Sequence, residues 1–305
     1  MEANMSNQFT SFDPRPVGRE ANEAIIAAAG GGATLLGVEV TIPVLAARCG
    51  LGNMDHHGQG DTAQTPSATE QALASSLVLP PDGTTLVTVR ADTDSVSAMA
   101  VLANLADDRP VDDELVEAIG RFDRLGPATG RPRDEVVAIG RIAQDFKRTL
   151  DERVAWVQAV LAGEGDEEEI RSLAAARDRE FNAARQASEV SLHADGRIAA
   201  VVSTHRFATQ LGYEAASVLV CFNPEMAVDF RDPSKGTYRK YTLCRYDSHV
   251  PVDLTAAMVE LNELDSAVTE GNRWGGRGDI GGSTQGIGSG LELEQVLEVV
   301  AKHLG

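Results

Sequence analysis

Asp55, His56 and His57 stand side by side in the stretch GNMDHHGQGD, at the end of a glycine-broken segment. A carboxylate next to two imidazoles can bind a divalent ion or pass a proton. A second acidic turn, RADTDS, sets Asp92 and Asp94 two residues apart, where both can offer oxygens to a hard divalent ion. His56 can add an imidazole nitrogen. Mixed carboxylate and imidazole ligation suits Mn2+, and Zn2+ less specifically. For Asp92 and Asp94 the competing reading is helix capping, because DTDS stands directly before an apolar run.

Both turns need a scaffold that brings them together. REANEAIIAAAGGG reads as a helix ended by glycines, ATLLGVEV as a short strand and TIPVLAARCG as a crossover helix. GNMDHH closes the next short strand, SATEQALASSLVL has helical periodicity, TTLVTVRADTDS is a buried-type strand, and VSAMAVLANLADD is again helical. Strand, loop and helix in alternation predict a parallel sheet covered on both faces. In such a sheet the loops after the strands emerge at one edge, so residues distant in sequence meet in one crevice. The segment from DDELVEAIGRF to FNAARQAS reads as mostly helical. Strands return at SEVSLHADGRIAAVVST, with ADGR as a hairpin turn, and continue in ASVLVCFNP, MAVDFRD and YRKYTLCRYD. DLTAAMVELNEL and ELEQVLEVVAKHL are helices on either side of the glycine-rich NRWGGRGDIGGSTQGIGSG. The fold class expected is α/β: a disordered stretch 1–17, a parallel doubly wound domain 18–186, and a smaller α/β domain 187–305.

The net charge of −19 over 305 residues argues against a surface that coats nucleic acid or an anionic membrane. It leaves room for a small anionic substrate, since a bound cation reverses the local sign. Lys147, Lys235, Lys240 and Lys302 are the only lysines. Cys49, Cys221 and Cys244 are far apart and odd in number, which fits a reduced cytoplasm better than a disulfide framework. The polar start lacks a signal-peptide pattern, and no apolar run reaches membrane-spanning length. The expectation is a soluble cytoplasmic protein; a homodimer is left open.

MDHHG followed by TPSATEQALA resembles the signature of the DHH phosphoesterase superfamily, and RADTDSVSAMAVL resembles its Asp-x-Asp metal motif. The C-terminal YRKYTLCRYDS, VDLTAAMVELNEL and GGRGDIGGS are similar to the DHH-associated domain, in which an arginine-bearing strand, a helix and a glycine-rich loop hold the substrate. The resemblance spans roughly residues 33–125 and 187–305. It implies Mn2+-dependent phosphoester hydrolysis in a cleft between the two domains. The order is permuted: the family's Asp-x-Asp precedes its Asp-His-His, whereas here it follows. The family's histidine four residues before Asp-x-Asp is Thr88 here, its bridging aspartate corresponds most nearly to Glu39, and Arg277 and Asp279 stand where a loop histidine is expected. Two ions about 3.5–4 Å apart need a bridging carboxylate and full shells, so one ion or two stays open.

The assignments follow. Asp92, Asp94 and His56, with Asp123 and Glu39, hold the metal; for Asp123 the competing reading is a surface helix acid. Asp55 and His57 are the catalytic pair, His57 orienting Asp55 or a phosphate and Asp55 either ligating or supporting the histidines. Arg245 is a candidate anion clamp through its guanidinium. Gly275, Gly276, Gly278, Gly281 and Gly282 let backbone N–H groups approach an anion, with Arg277 adding charge, against a reading as a merely flexible loop. The expected function is metal-dependent hydrolysis of a small phosphorylated or nucleotide-like compound. The few basic and aromatic residues argue against an extended nucleic-acid groove. The alternatives are a non-catalytic nucleotide- or metabolite-binding protein with a decayed metal site, and a single-metal enzyme acting on a non-phosphate bond.

Overall fold

The computed structural model describes residues 8–57, 64–75, 80–229, 232–246, 249–284 and 286–305. In the first part of the chain β1 (Gln8–Ser11), β2 (Leu35–Val38), β3 (Asn53–Met54) and β4 (Thr85–Thr88) form a sheet of order β1-β4-β2-β3, parallel throughout. Strands buried on both faces read as continuous apolar runs, and LLGV and TLVT do so. Alternate side chains serve the two faces. Leu35 and Val87 join Phe12, Ile26 and Ala29 of one apolar cluster, on the side of α1 (Arg19–Ala28) and α2 (Pro43–Ala46). Leu36, Val38 and Leu86 join the larger cluster built with α3 (Ala68–Ala74), α4 (Thr93–Ala106), α5 (Asp113–Leu125), α6 (Asp134–Ala143) and α7 (Leu150–Leu161). α4 is buried without a break from Asp94 to Asn104, so it is the central helix of that layer.

The disordered stretch expected up to Val17 is corrected over its described part. Gln8–Ser11 pair in register with Thr85–Thr88, and Phe12 is buried. The backbone of Asp13 then exchanges two hydrogen bonds with the Asn22 side chain: Asp13 N donates to Asn22 Oδ1 and Asn22 Nδ2 donates to Asp13 O, each at 2.8 Å. One aromatic anchor and a free strand edge order a segment whose composition is polar.

α8 (Glu167–Gln186) follows, and the chain divides within it into two compact units, the first ending at Arg177 and the second beginning at Asp178. The strand pattern places the boundary later, at 186–187; an unbroken helix offers no turn signal to mark the division. In the second unit β5 (Glu189–His193), β6 (Ile198–Val202), β7 (Val218–Ala227), β8 (Thr237–Arg245), β9 (Gly275–Gly276) and β10 (Ile280–Gly282) form a sheet of order β5-β6-β7-β8-β10-β9. Only β6 and β7 run parallel. α9 (Ala208–Tyr213) covers one face, α10 (Leu254–Leu264) and α11 (Leu293–Lys302) the other. The two strands expected in ASVLVCFNP and MAVDFRD are one strand, β7, with a register shift between Asn223 and Met226; Phe230 and Arg231 lie outside the described residues. The architecture is therefore mixed α/β, with a parallel sheet in the first unit and a mixed sheet in the second. Among the described residues no helix is long and apolar enough to cross a membrane, and all three cysteines are free and buried.

Candidate metal centre

All the first unit's chemistry-bearing loops leave the sheet at the carboxyl ends of its strands. β2 runs directly into Glu39, a non-glycine residue at φ 53°. That left-handed backbone is disfavoured for a side chain with a Cβ, so surrounding contacts must hold it. Glu39 N donates to Met54 O at 2.8 Å. Asn53 clasps the next residue: its Oδ1 accepts from Val40 N at 3.1 Å and its Nδ2 donates to Val40 O at 3.2 Å. Gly37 makes the clasp fit, because a Cβ there would stand 2.4 Å from Asn53 Oδ1.

Asp94 comes from the first turn of α4 and is fully buried. Its Oδ2 accepts from Ala68 N at 2.6 Å and its Oδ1 from Thr69 N at 3.0 Å, so it also fastens the start of α3. Asp123 is carried in by α5. Gly120, one turn earlier, lets α5 lie against α3: a Cβ there would stand 2.5 Å from Glu70 Cδ. Arg124 Nη2 donates to Glu70 Oε1 at 2.9 Å, which pins the same contact.

These elements bring one donor atom each of Glu39, His56, Asp94 and Asp123 within 4.8 Å of one another. His56 Nε2 lies 2.8 Å from Asp123 Oδ2 and 3.3 Å from Glu39 Oε1. Those are ion-pair distances, yet Glu39 Oε1, Asp123 Oδ2 and both ring nitrogens of His56 are buried without a partner in hydrogen-bonding geometry. Neighbouring ligands around a cation with bonds of about 2.0–2.2 Å sit about 3 Å apart and aim at the ion instead of each other. The two separations at His56 Nε2 and the missing hydrogen bonds match that arrangement. Three carboxylates and one imidazole suit a divalent cation.

Burial and mutual repulsion shift the protonation of these groups. Burial, with Asp94, Asp92 and Asp123 adding repulsion, pushes the Glu39 carboxyl up to about 9. Burial also raises Asp94, with Asp123 contributing. At His56 burial opposes the charged ring, but the Asp123 and Glu39 carboxylates together outweigh it and lift the ring from 6.5 to about 10. The cluster keeps protons where a metal ion would place positive charge.

Asp55 and His57 stand beside it. Asp55 Oδ1 accepts from His57 N at 2.9 Å and lies 3.0 Å from His57 Nδ1, which holds Asp55 below the usual carboxylate range. Nδ1–H facing a carboxylate leaves Nε2 as the basic nitrogen. His57 is 43% exposed and Asp123 24%, so the site is open to solvent on their side. Glu39, His56 and His57 form a second group of close donors that shares Glu39 and His56 with the first.

Asp92, expected to ligate beside Asp94, is a correction. Its Oδ1 accepts from Ser95 N at 3.1 Å while Ser95 Oγ accepts from Asp92 N at 3.0 Å, closing a capping box at the start of α4. It lies outside both donor groups. Thr88 is likewise occupied locally: its Oγ1 accepts from Arg90 N and donates to Arg90 O.

In the second unit Arg245 ends β8, its Nη1 donating to Val250 O at 3.4 Å and Val252 O at 3.5 Å. The glycine-rich segment is a packed hairpin. A Cβ on Gly282 would stand 2.2 Å from Tyr241 O, on Gly281 2.3 Å from Met258 Sδ, and on Gly276 2.3 Å from Gly281 Cα. Close packing therefore accounts for these three, while a Cβ on Gly275 would meet open space and one on Gly278 would stand 3.6 Å from Arg245 Nη2, an ordinary contact. Arg277 pairs with Asp279 at 3.3 Å. Sequence reasoning missed Gly37, Asn53 and Gly120, which position the ligands. The visible signal was glycine inside a strand and inside a helix, each of which usually has a packing reason.

No protein-family model matches the chain, and no curated protein matches it significantly. The DHH resemblance therefore rests on the motif residues alone.

Proposed function

We propose that the first unit binds a single divalent ion through Glu39, His56, Asp94 and Asp123, and that the chain is a metal-dependent hydrolase of a small phosphorylated or nucleotide-like compound. The observation that carries this reading is the set of buried donors from two loops and two helices that approach one another without hydrogen-bonding one another. A bound divalent ion supplies Lewis acidity: it acidifies coordinated water toward neutrality and polarises an ester oxygen. The chain supplies the rest. Asp55 orients the His57 ring, whose Nε2 accepts a proton from the attacking water and returns it to the leaving oxygen. The Asp-His-His and Asp-x-Asp resemblance supports the phosphoester class, and the net charge of −19 favours a compact substrate over a polyanion.

A second reading, a one-ion enzyme that cleaves a non-phosphate bond, is favoured by the engagement of Thr88 and Asp92 elsewhere. Elemental analysis of protein purified without chelator, followed by Mn2+-dependent nitrophenol release from bis(p-nitrophenyl) phosphate, separates the two. One ion per chain, with turnover lost in His57→Ala but metal retained, supports the hydrolase. One ion without phosphoester turnover moves the assignment to the second reading. Failure to bind any divalent ion overturns both.

A further inference from the structure

β5 is an edge strand without lysine, proline or a bulge, common guards of a sheet edge. Natural sheets guard their edges with lysine, proline, bulges or very short strands. β9, at the opposite edge, has two residues, whereas β5 has five, Glu-Val-Ser-Leu-His, in unbroken register with β6. Val190 and Leu192 pair across the ladder with Val201 and Ala199, so all four share one sheet face. Val201 and Ala199 are buried in the cluster beside α9, but Val190 is 44% exposed and Leu192 56%. The apolar layer runs off the edge of the sheet. On the other face lie Glu189, Ser191 and His193, with Ser191 Oγ 2.9 Å from His193 Nε2.

We infer that two copies of the full chain associate through β5, edge to edge and antiparallel, about a two-fold axis at Ser191. The strand is self-complementary in that register. Val190 falls opposite the second copy's Leu192, twice over, and makes an apolar block of four side chains. Glu189 falls opposite the second copy's His193, an acid against an imidazole, again twice, and Ser191 meets its own equivalent. An isologous contact of this kind closes at two copies and does not propagate. A five-residue ladder buries less than the roughly 1,200 Å² of a stable interface, so the dimer is weak and concentration-dependent.

Sedimentation velocity of the full chain from about 1 to about 200 µM tests this, the range in which so small an interface titrates. A rise from monomer toward dimer is expected, with Leu192→Lys remaining monomeric at the highest concentration. Leu192 is exposed, so the variant's melting temperature at the lowest concentration should match the parent. Register is tested by oxidation. Antiparallel neighbours have Cα atoms about 4.5–5.5 Å apart, within disulfide range. Ser191→Cys should therefore form a covalent dimer under conditions where Glu189→Cys does not, the native cysteines being buried. A monomer throughout, a dimer untouched by Leu192→Lys, or an equal yield from the two cysteine variants overturns the inference.

Discussion

Glu39 and His56 tie the metal question to pH. Both hold protons more tightly in the folded chain, at about 9 and about 10, than at their ordinary values of 4.5 and 6.5. Between pH 6.5 and 9 the folded state therefore carries more protons than the unfolded state, and unfolding free energy falls as the pH rises through that window. In chelator the melting temperature should drop steadily from pH 6.5 to 9. With saturating Mn2+ or Zn2+ the slope should flatten, because the ion displaces both protons, and metal affinity should rise with pH. A melting temperature independent of pH in chelator would contradict this account. The two acids of DTDS give a sharper contrast. Asp92→Ala removes only a cap and should cost about 1 kcal/mol with metal content unchanged. Asp94→Ala strands two buried N–H groups at the start of α3 and should cost at least about 2 kcal/mol while abolishing metal binding. Denaturant titration with elemental analysis reads both.

Elements place these residues through two glycines outside the donor cluster, Gly37 and Gly120. Gly37 in β2 leaves room for the Asn53 clasp that holds Val40, and through it the left-handed Glu39. Gly37→Ala should displace that clasp and lower metal affinity by about tenfold or more, the scale seen when groups supporting a ligand are lost. Calorimetric metal titration measures it; unchanged affinity would mean the clasp is irrelevant. The hairpin glycines of the second unit divide by the same steric logic. Gly282→Ala forces a Cβ onto Tyr241 O and should destabilise by several kcal/mol, whereas Gly275→Ala meets open space and should be tolerated. Thermal melts of the two variants give the comparison directly.

Across the whole molecule, a cation bound to two loops and two helices should stiffen a defined set of segments. Hydrogen exchange on adding Mn2+ should slow at residues 35–57, 64–74, 92–97 and 119–125 and stay unchanged along β5 to β8. Protection confined to the second unit would place the metal elsewhere. Much of this arrangement was legible in the chain itself. Alternating strand and helix patterns specify a parallel sheet, and such a sheet sends every loop after a strand to one edge whatever the chain order. That is why Asp-His-His and the acidic turn converge although they lie far apart along the chain. Side-chain spacing does not reveal which oxygens face a common point. Asp92 and Asp94 are equivalent on paper, and only the start of α4 turns one into a cap and the other inward. Asp123 enters only because α5 packs closely on α3 at Gly120. β1 forms only because β4 leaves an edge for it. Local pattern thus determined the layers and the edge where chemistry gathers, since periodicity is a property of neighbouring residues. The tertiary structure alone decided the ligand set, because ligation depends on ångström-scale contacts between segments far apart along the chain.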